Sequence, residues 1–183
     1  MHFLRFVIAV FALTVIPILV GVGVVIFSNT LKPSTGLAVF DNRDFGISFS
    51  YPSEWKKEYP SKTMIRFSQD PVAMIFEGKE LDAQKIRTLA KYTKENLSEI
   101  AESAEASGFT YVLEESAPAM LGGKEAHRIS VLMEKEWHTL RVVQVWSIVN
   151  DRIYAVSFSA PLNGWPTAVQ SFENVLQSLK IRD

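Results

Sequence analysis

The 183-residue sequence contains no cysteine. That absence excludes disulfide staples, thiolate metal centres, a cysteine nucleophile and a lipidated cysteine behind an apolar leader. Histidine is scarce at three copies, and only His127 and His138 lie far from the N-terminal end. A site pairing them with Glu125, Glu134 or Glu136 would suit zinc or manganese. No close spacing such as H-x-x-x-H supports it, so both read as exposed strand histidines, and no metal or cofactor is expected. Phosphate-cradling loops are missing as well. Gly21-Val22-Gly23 sits inside an apolar run, and Gly122-Gly123 reads as a turn. No Gly-x-Ser-x-Gly elbow occurs. A Ser-His-acid triad assembled from distant positions stays open, but no motif points to one, and the chain reads as a non-enzyme. A basic surplus is lacking too: the formal net charge is −1, with no clustered basic face of the kind a nucleic-acid footprint needs.

What the sequence does have is one long uncharged apolar run, Phe6 to Phe27, broken only by Thr14 and Pro17. At 1.5 Å per residue it would span roughly 33 Å as a helix, close to the roughly 30 Å hydrocarbon thickness of a bilayer. Pro17 would break a soluble helix but is tolerated in a spanning one. A cleaved secretory signal usually has a shorter apolar core and small residues at its end. This run finishes Val24-Val25-Ile26-Phe27, so a retained transmembrane anchor over residues 1–27 is expected. Arg5 precedes the run and Lys32 follows it, which leaves the charge bias of the flanks nearly even. A short flank before a long C-terminal domain favours an extracytoplasmic location for that domain.

Residues 28–37 then read as a linker, and 38–183 as one domain large enough to bury a core without disulfides. All 20 acids and 18 of the 19 Lys and Arg residues lie beyond Phe27. Period-two alternation marks Phe45–Tyr51 as a strand ending at Pro52, with short strands at Thr63–Ser68 and Val72–Phe76. Asp82 is the expected N-cap of a long helix whose apolar face is Ile86, Leu89, Ala90, Thr93, Leu97, Ile100, Ala101 and Ala104. Gly108 is its expected stop. Strands follow at Phe109–Glu115, Glu125–Met133, Thr139–Val149 and Ile153–Ala160, with a two-residue hairpin at Asn150-Asp151. A closing helix, about Pro166–Leu179, directs Val169, Phe172, Val175, Leu176 and Leu179 inward. The fold class expected is therefore α+β, with one antiparallel sheet sandwiched by helices.

Two features suggest partner docking. Lys85, Arg87, Lys91 and Lys94 occupy the first half of the long helix; Glu95, Glu99, Glu102 and Glu105 occupy the second. This opposes the macrodipole preference. It reads either as a dipolar docking stripe or, more simply, as a solvated face with pairs such as Lys91–Glu95. Trp137, at a turn among Glu134, Lys135 and Glu136, reads either as a candidate interface anchor or as a ring tucked back onto the sheet, with His138 and Arg141 on the strand that follows.

Several segments in order resemble the PsbP-like family. Phe45-Gly-Ile-Ser-Phe-Ser-Tyr-Pro-Ser-Glu-Trp55 is similar to the family's opening strand. Leu121-Gly-Gly-Lys-Glu-Ala126 is similar to its Gly-Gly turn. Val149-Asn-Asp-Arg-Ile-Tyr154, Trp165 and Phe172 through Ser178-Leu-Lys180 resemble its final hairpin and helix. The family includes the extrinsic PsbP subunit of photosystem II and bacterial PsbP-like and DcrB-like relatives. The resemblance, over about residues 38–182, implies an antiparallel sheet between helices and a non-enzymatic binding or assembly module outside the cytoplasm. The metal positions proposed for the plant subunit fall on Arg141 and on Leu162, with Asn163 beside it; a three-residue gap would instead bring His138 to the first position at the expense of the strand register, so no metal role carries over. The expected function is that of a membrane-anchored accessory subunit docking on, assembling or stabilising a larger membrane complex, photosynthetic complexes included. The alternative is a free-standing ligand- or metal-binding protein of the cell envelope.

Overall fold

A computed structural model of the chain describes residues 36–81, 88–136 and 138–182, with the main chain alone at His138. Strands β1 (Leu37–Asn42) and β2 (Ile47–Pro52) form a hairpin, and the C-terminal β10 (Lys180–Ile181) pairs with the other edge of β2. A larger sheet contains β3 (Lys56–Ser61), β4 (Met64–Gln69), β5 (Val72–Glu80), β6 (Thr110–Leu121), β7 (Lys124–Lys135), β8 (His138–Val149) and β9 (Arg152–Pro161). Its spatial order is β3-β4-β5-β9-β8-β7-β6, antiparallel at each step. Helix α1 (Leu89–Ala106) carries the chain from β5 to the far edge at β6, and α2 (Trp165–Ser178) follows β9.

The two faces of this seven-stranded sheet make two cores. Along β9, Tyr154, Val156, Phe158 and Ala160 point to one face, as period two requires, and all four are buried there. Phe158 stacks on Phe172 of α2 at 4.8 Å. Phe67 of β4 meets Phe40 of β1 and Phe49 of β2 edge-on at 5.5 and 5.3 Å. On the opposite face Tyr92, Ile100 and Ala104 of α1 cover Ile129, Val131, Val142 and Trp146. Burying each large side chain contributes roughly 1.5–3 kcal/mol. The expected sandwich is thus modified: one face is covered by α1, whereas the other is shared by α2 and the small three-stranded sheet.

The sequence missed β1, β3 and β10, and stopped β6 at Glu115, whereas it runs on to Leu121. The start of α1 also differs. Thr88 is its N-cap, accepting from the Lys91 amide at 3.2 Å; Asp82 lies outside the described residues. The buried stripe is Tyr92, Asn96, Ile100 and Ala104, one position from the expected Thr93–Leu97 line, with Leu89 and Leu97 at its margin. The helix stops as anticipated at Gly108, φ 74°. Its amide bonds the Glu105 carbonyl at 2.9 Å, and that of Phe109 the Ala104 carbonyl at 2.9 Å, the pattern of a Schellman cap. The last turn carries no base of its own. Lys135 of β7 supplies one, donating to the Ser107 carbonyl at 2.9 Å and offsetting the dipole's negative end.

The hairpin turn Asn150-Asp151 has φ of 50° and 57°, the left-handed values of a two-residue primed turn. Among the described residues no helix is long and apolar enough to cross a membrane. The run from Phe6 through Pro17 to Phe27 lies outside them.

Candidate functional site

Of the candidate docking residues, Arg141 lies on one face of the large sheet and Lys91 and Glu95 on the helix that covers the other. Arg141, on the α2 side of β8, grips Glu114 of β6 side-on, with Nε and Nη2 donating at 2.9 and 2.8 Å. Ser130 Oγ donates to the same carboxylate at 3.1 Å, and the Arg141 guanidinium lies 5.4 Å from the Trp165 ring centroid. The hydrogen bond from Arg141 holds the Glu114 carboxyl below its usual range, with a smaller contribution from Ser130. Arg141 therefore ties the sheet edge to the start of α2. Lys91 and Glu95 form a 4.0 Å pair, about half exposed, on α1, across the sheet from Arg141. Such an i,i+4 pair stabilises by a few tenths of a kcal/mol. Trp137 lies outside the described residues, as does the side chain of His138, whose main chain begins β8 opposite Lys135.

His127 differs from the exposed strand residue expected. It is half-buried, with Nε2 2.8 Å from Ser116 Oγ and its ring 5.5 Å from that of Trp146. Burial lowers its pKa. Serine and histidine are two members of a nucleophilic set, but among the described residues no carboxylate is hydrogen-bonded to His127 to orient it. Nor do three or more His, Asp or Glu side chains converge on a metal position among the described residues.

Two further constellations went unseen in the sequence. Glu77 sits on the α1 side of β5, opposite Ala155 and Met64. It is 7 % exposed, and its Oε2 has no hydrogen-bond partner among the described residues. Burial pushes its pKa up to about 7, only partly countered by the charge of Lys79. Tyr92 above it is driven well above the usual phenol value by burial, and further by the charges of Glu77 and Glu99.

The second is an open cleft of about 770 Å³ at one end of the sheet. Arg43 and Gly46, from the β1–β2 turn, line one side; Arg182 follows β10; Glu80 and Leu81 end β5; Val149 to Arg152 and Tyr154 come from the β8–β9 hairpin. The walls are fastened to one another. Leu81 N donates to the Asp151 carbonyl at 2.8 Å, and Arg182 N to the Gly46 carbonyl at 2.8 Å. Gly46 has φ 67° and passes close to the Tyr154 hydroxyl, so glycine suits both its conformation and its neighbour. Four separate stretches of chain thus hold a concavity lined by charged residues of both signs.

No family model matches the sequence, and no curated protein matches it. Solved structures do match its fold. Cyanobacterial PsbP (CyanoP) from Synechocystis sp. PCC 6803 aligns over 84 % of this chain and 98 % of its own, with TM-score 0.64 and 12 % identity. A Pseudomonas aeruginosa protein of unknown function aligns over 80 % and 98 %, with TM-score 0.54 and 14 % identity. A Bacteroides thetaiotaomicron protein aligns over 75 % of this chain but 46 % of its own, with TM-score 0.54 and 15 % identity. At such identities it is the fold that is shared, and the fold of this chain is PsbP-like.

Proposed function

We propose that this chain is a membrane-anchored, PsbP-like accessory subunit, non-enzymatic, that docks on, assembles or stabilises a larger membrane protein complex. The observation that carries this reading is the match to CyanoP over 98 % of that chain, joined to an uncharged 22-residue apolar run at Phe6–Phe27. The run anchors the chain in the bilayer and the domain faces the extracytoplasmic side. A tether raises the effective concentration of the domain at the membrane surface, so a weak docking face suffices. Trp137, with His138 beside it, is the first candidate for that face. Alkaline washing of membranes tests the anchor: the chain should stay in the pellet with residues 1–27 intact by mass. Release into the supernatant would remove the anchor from the reading.

The charged cleft favours a second reading, a ligand-binding protein of the cell envelope. Calorimetric titration separates the two, since an accessory subunit needs no small ligand.

A further inference from the structure

Charges in the cleft are unequally satisfied. Arg182 is paired, its Nη2 donating to both carboxylate oxygens of Asp41 at 2.7 and 2.6 Å. Arg152 lies over the Tyr154 ring at 5.8 Å and makes one long bond, from Nη1 to the Asp44 carbonyl at 3.3 Å. Its Nε is buried and has no hydrogen-bond partner among the described residues. Arg43, Glu80 and Asp151 line the same concavity, and among the described residues none of them forms an ion pair. Glu80 is even the register partner of Arg152, yet the two side chains do not join. Elsewhere arginines find carboxylates at close range, as at Arg128–Glu173 and Arg141–Glu114, both 2.8 Å. The cleft thus gathers two arginines and two acidic residues in one concavity.

We infer that the cleft binds a small zwitterion. Arg43 and Arg152 hold its oxyanion, and Glu80 and Asp151 hold its ammonium. A simple anion would be repelled by the two carboxylates, and a simple cation by the two arginines; a ligand carrying both charges on a short scaffold meets each with its complement. Guanidinium donors suit a phosphate or carboxylate oxyanion. Phosphoethanolamine has this chemistry, either free or as a lipid headgroup. The inference deepens the ligand-binding reading and is independent of docking on a complex, so each can fail without the other.

The test uses the full chain in detergent micelles, titrated calorimetrically with O-phosphoethanolamine, inorganic phosphate and ethanolamine. Phosphoethanolamine should bind about tenfold or more tightly than either half-ligand. Arg43→Gln and Glu80→Gln, both exposed positions outside the cores, should each weaken it about tenfold while leaving the thermal midpoint unchanged. Repeating the titration in nanodiscs of phosphatidylethanolamine distinguishes the sources. Competition by the lipid assigns the headgroup, and undiminished binding assigns the free compound. Equal affinity for phosphate and phosphoethanolamine, no binding at millimolar concentration, or indifference to Arg43→Gln would each overturn the inference.

Discussion

Trp146 Nε1 donates to Thr93 Oγ1 at 3.0 Å, and this one bond fastens the first half of α1 to the middle of the sheet. Trp146 is 1 % exposed and also meets Tyr92 edge-on at 6.1 Å. Thr93→Val keeps the shape but leaves a buried indole N–H unsatisfied, which costs about 1–3 kcal/mol. Urea denaturation should record that loss at an unchanged m-value. Combined with Trp146→Phe, the two losses should be less than additive, since both remove the same bond.

Glu77 makes stability fall as pH rises. Its carboxyl titrates near 4.5 when exposed and near 7 in the fold. The folded state therefore binds the extra proton between those values. Below about 4.5 this charge penalty is absent, and above about 7 the group is held charged in a buried place, at a cost of about 3 kcal/mol. Glu77→Gln should raise the thermal midpoint at pH 8 and flatten its pH dependence between 4.5 and 7. An unchanged pH profile would show that the buried carboxylate is solvated in some other way.

The Arg141–Glu114 pair acts in the opposite direction. Glu114 titrates below its usual value in the fold, so its contribution is present above the unfolded value of 4.5 and is lost as pH falls through the lower folded one. Both side chains are about one-quarter exposed, which limits the effect to about 1 kcal/mol. Arg141→Ala should remove that acid-side loss and loosen the start of α2, where the guanidinium covers Trp165. Thermal midpoints between pH 3 and 6 would record it.

The Gly-Gly turn offers a steric contrast. A Cβ at Gly122 would lie 2.8 Å from the Ile181 main-chain nitrogen, at φ 59°, whereas one at Gly123, φ 81°, meets nothing within 4 Å. Gly122→Ala should cost about 2 kcal/mol or more, adding overlap to backbone strain, and Gly123→Ala about 1 kcal/mol from strain alone. Equal losses would mean that β10 shifts away freely.

Much of the fold was legible because it rests on local patterns. Alternation placed Tyr154, Val156, Phe158 and Ala160 on one buried face, the Asn150-Asp151 turn named its hairpin, and Gly108 stopped the helix. Strands β1 and β3 escaped because alternation fails there. β3 is exposed at every position, and β1 buries Phe40 alone. The stripe of α1 slipped by one position because Tyr92 and Asn96 look polar in sequence yet face the sheet. The Arg141–Glu114 pair was not legible because the two residues are 27 apart and meet only across two strand pairings. The cleft was wholly illegible: its lining comes from the first hairpin, the end of β5, the last hairpin and the C-terminal strand, which only the topology assembles.

The central claim is docking on a membrane complex, and co-isolation from mildly solubilised native membranes tests it most directly. The full chain should be compared with one whose residues 1–27 are exchanged for an unrelated spanning helix. Both should recover the same integral membrane proteins in stoichiometric amount, because the domain selects the partner and the anchor only concentrates it. Recovery of both chains without companions would contradict the claim.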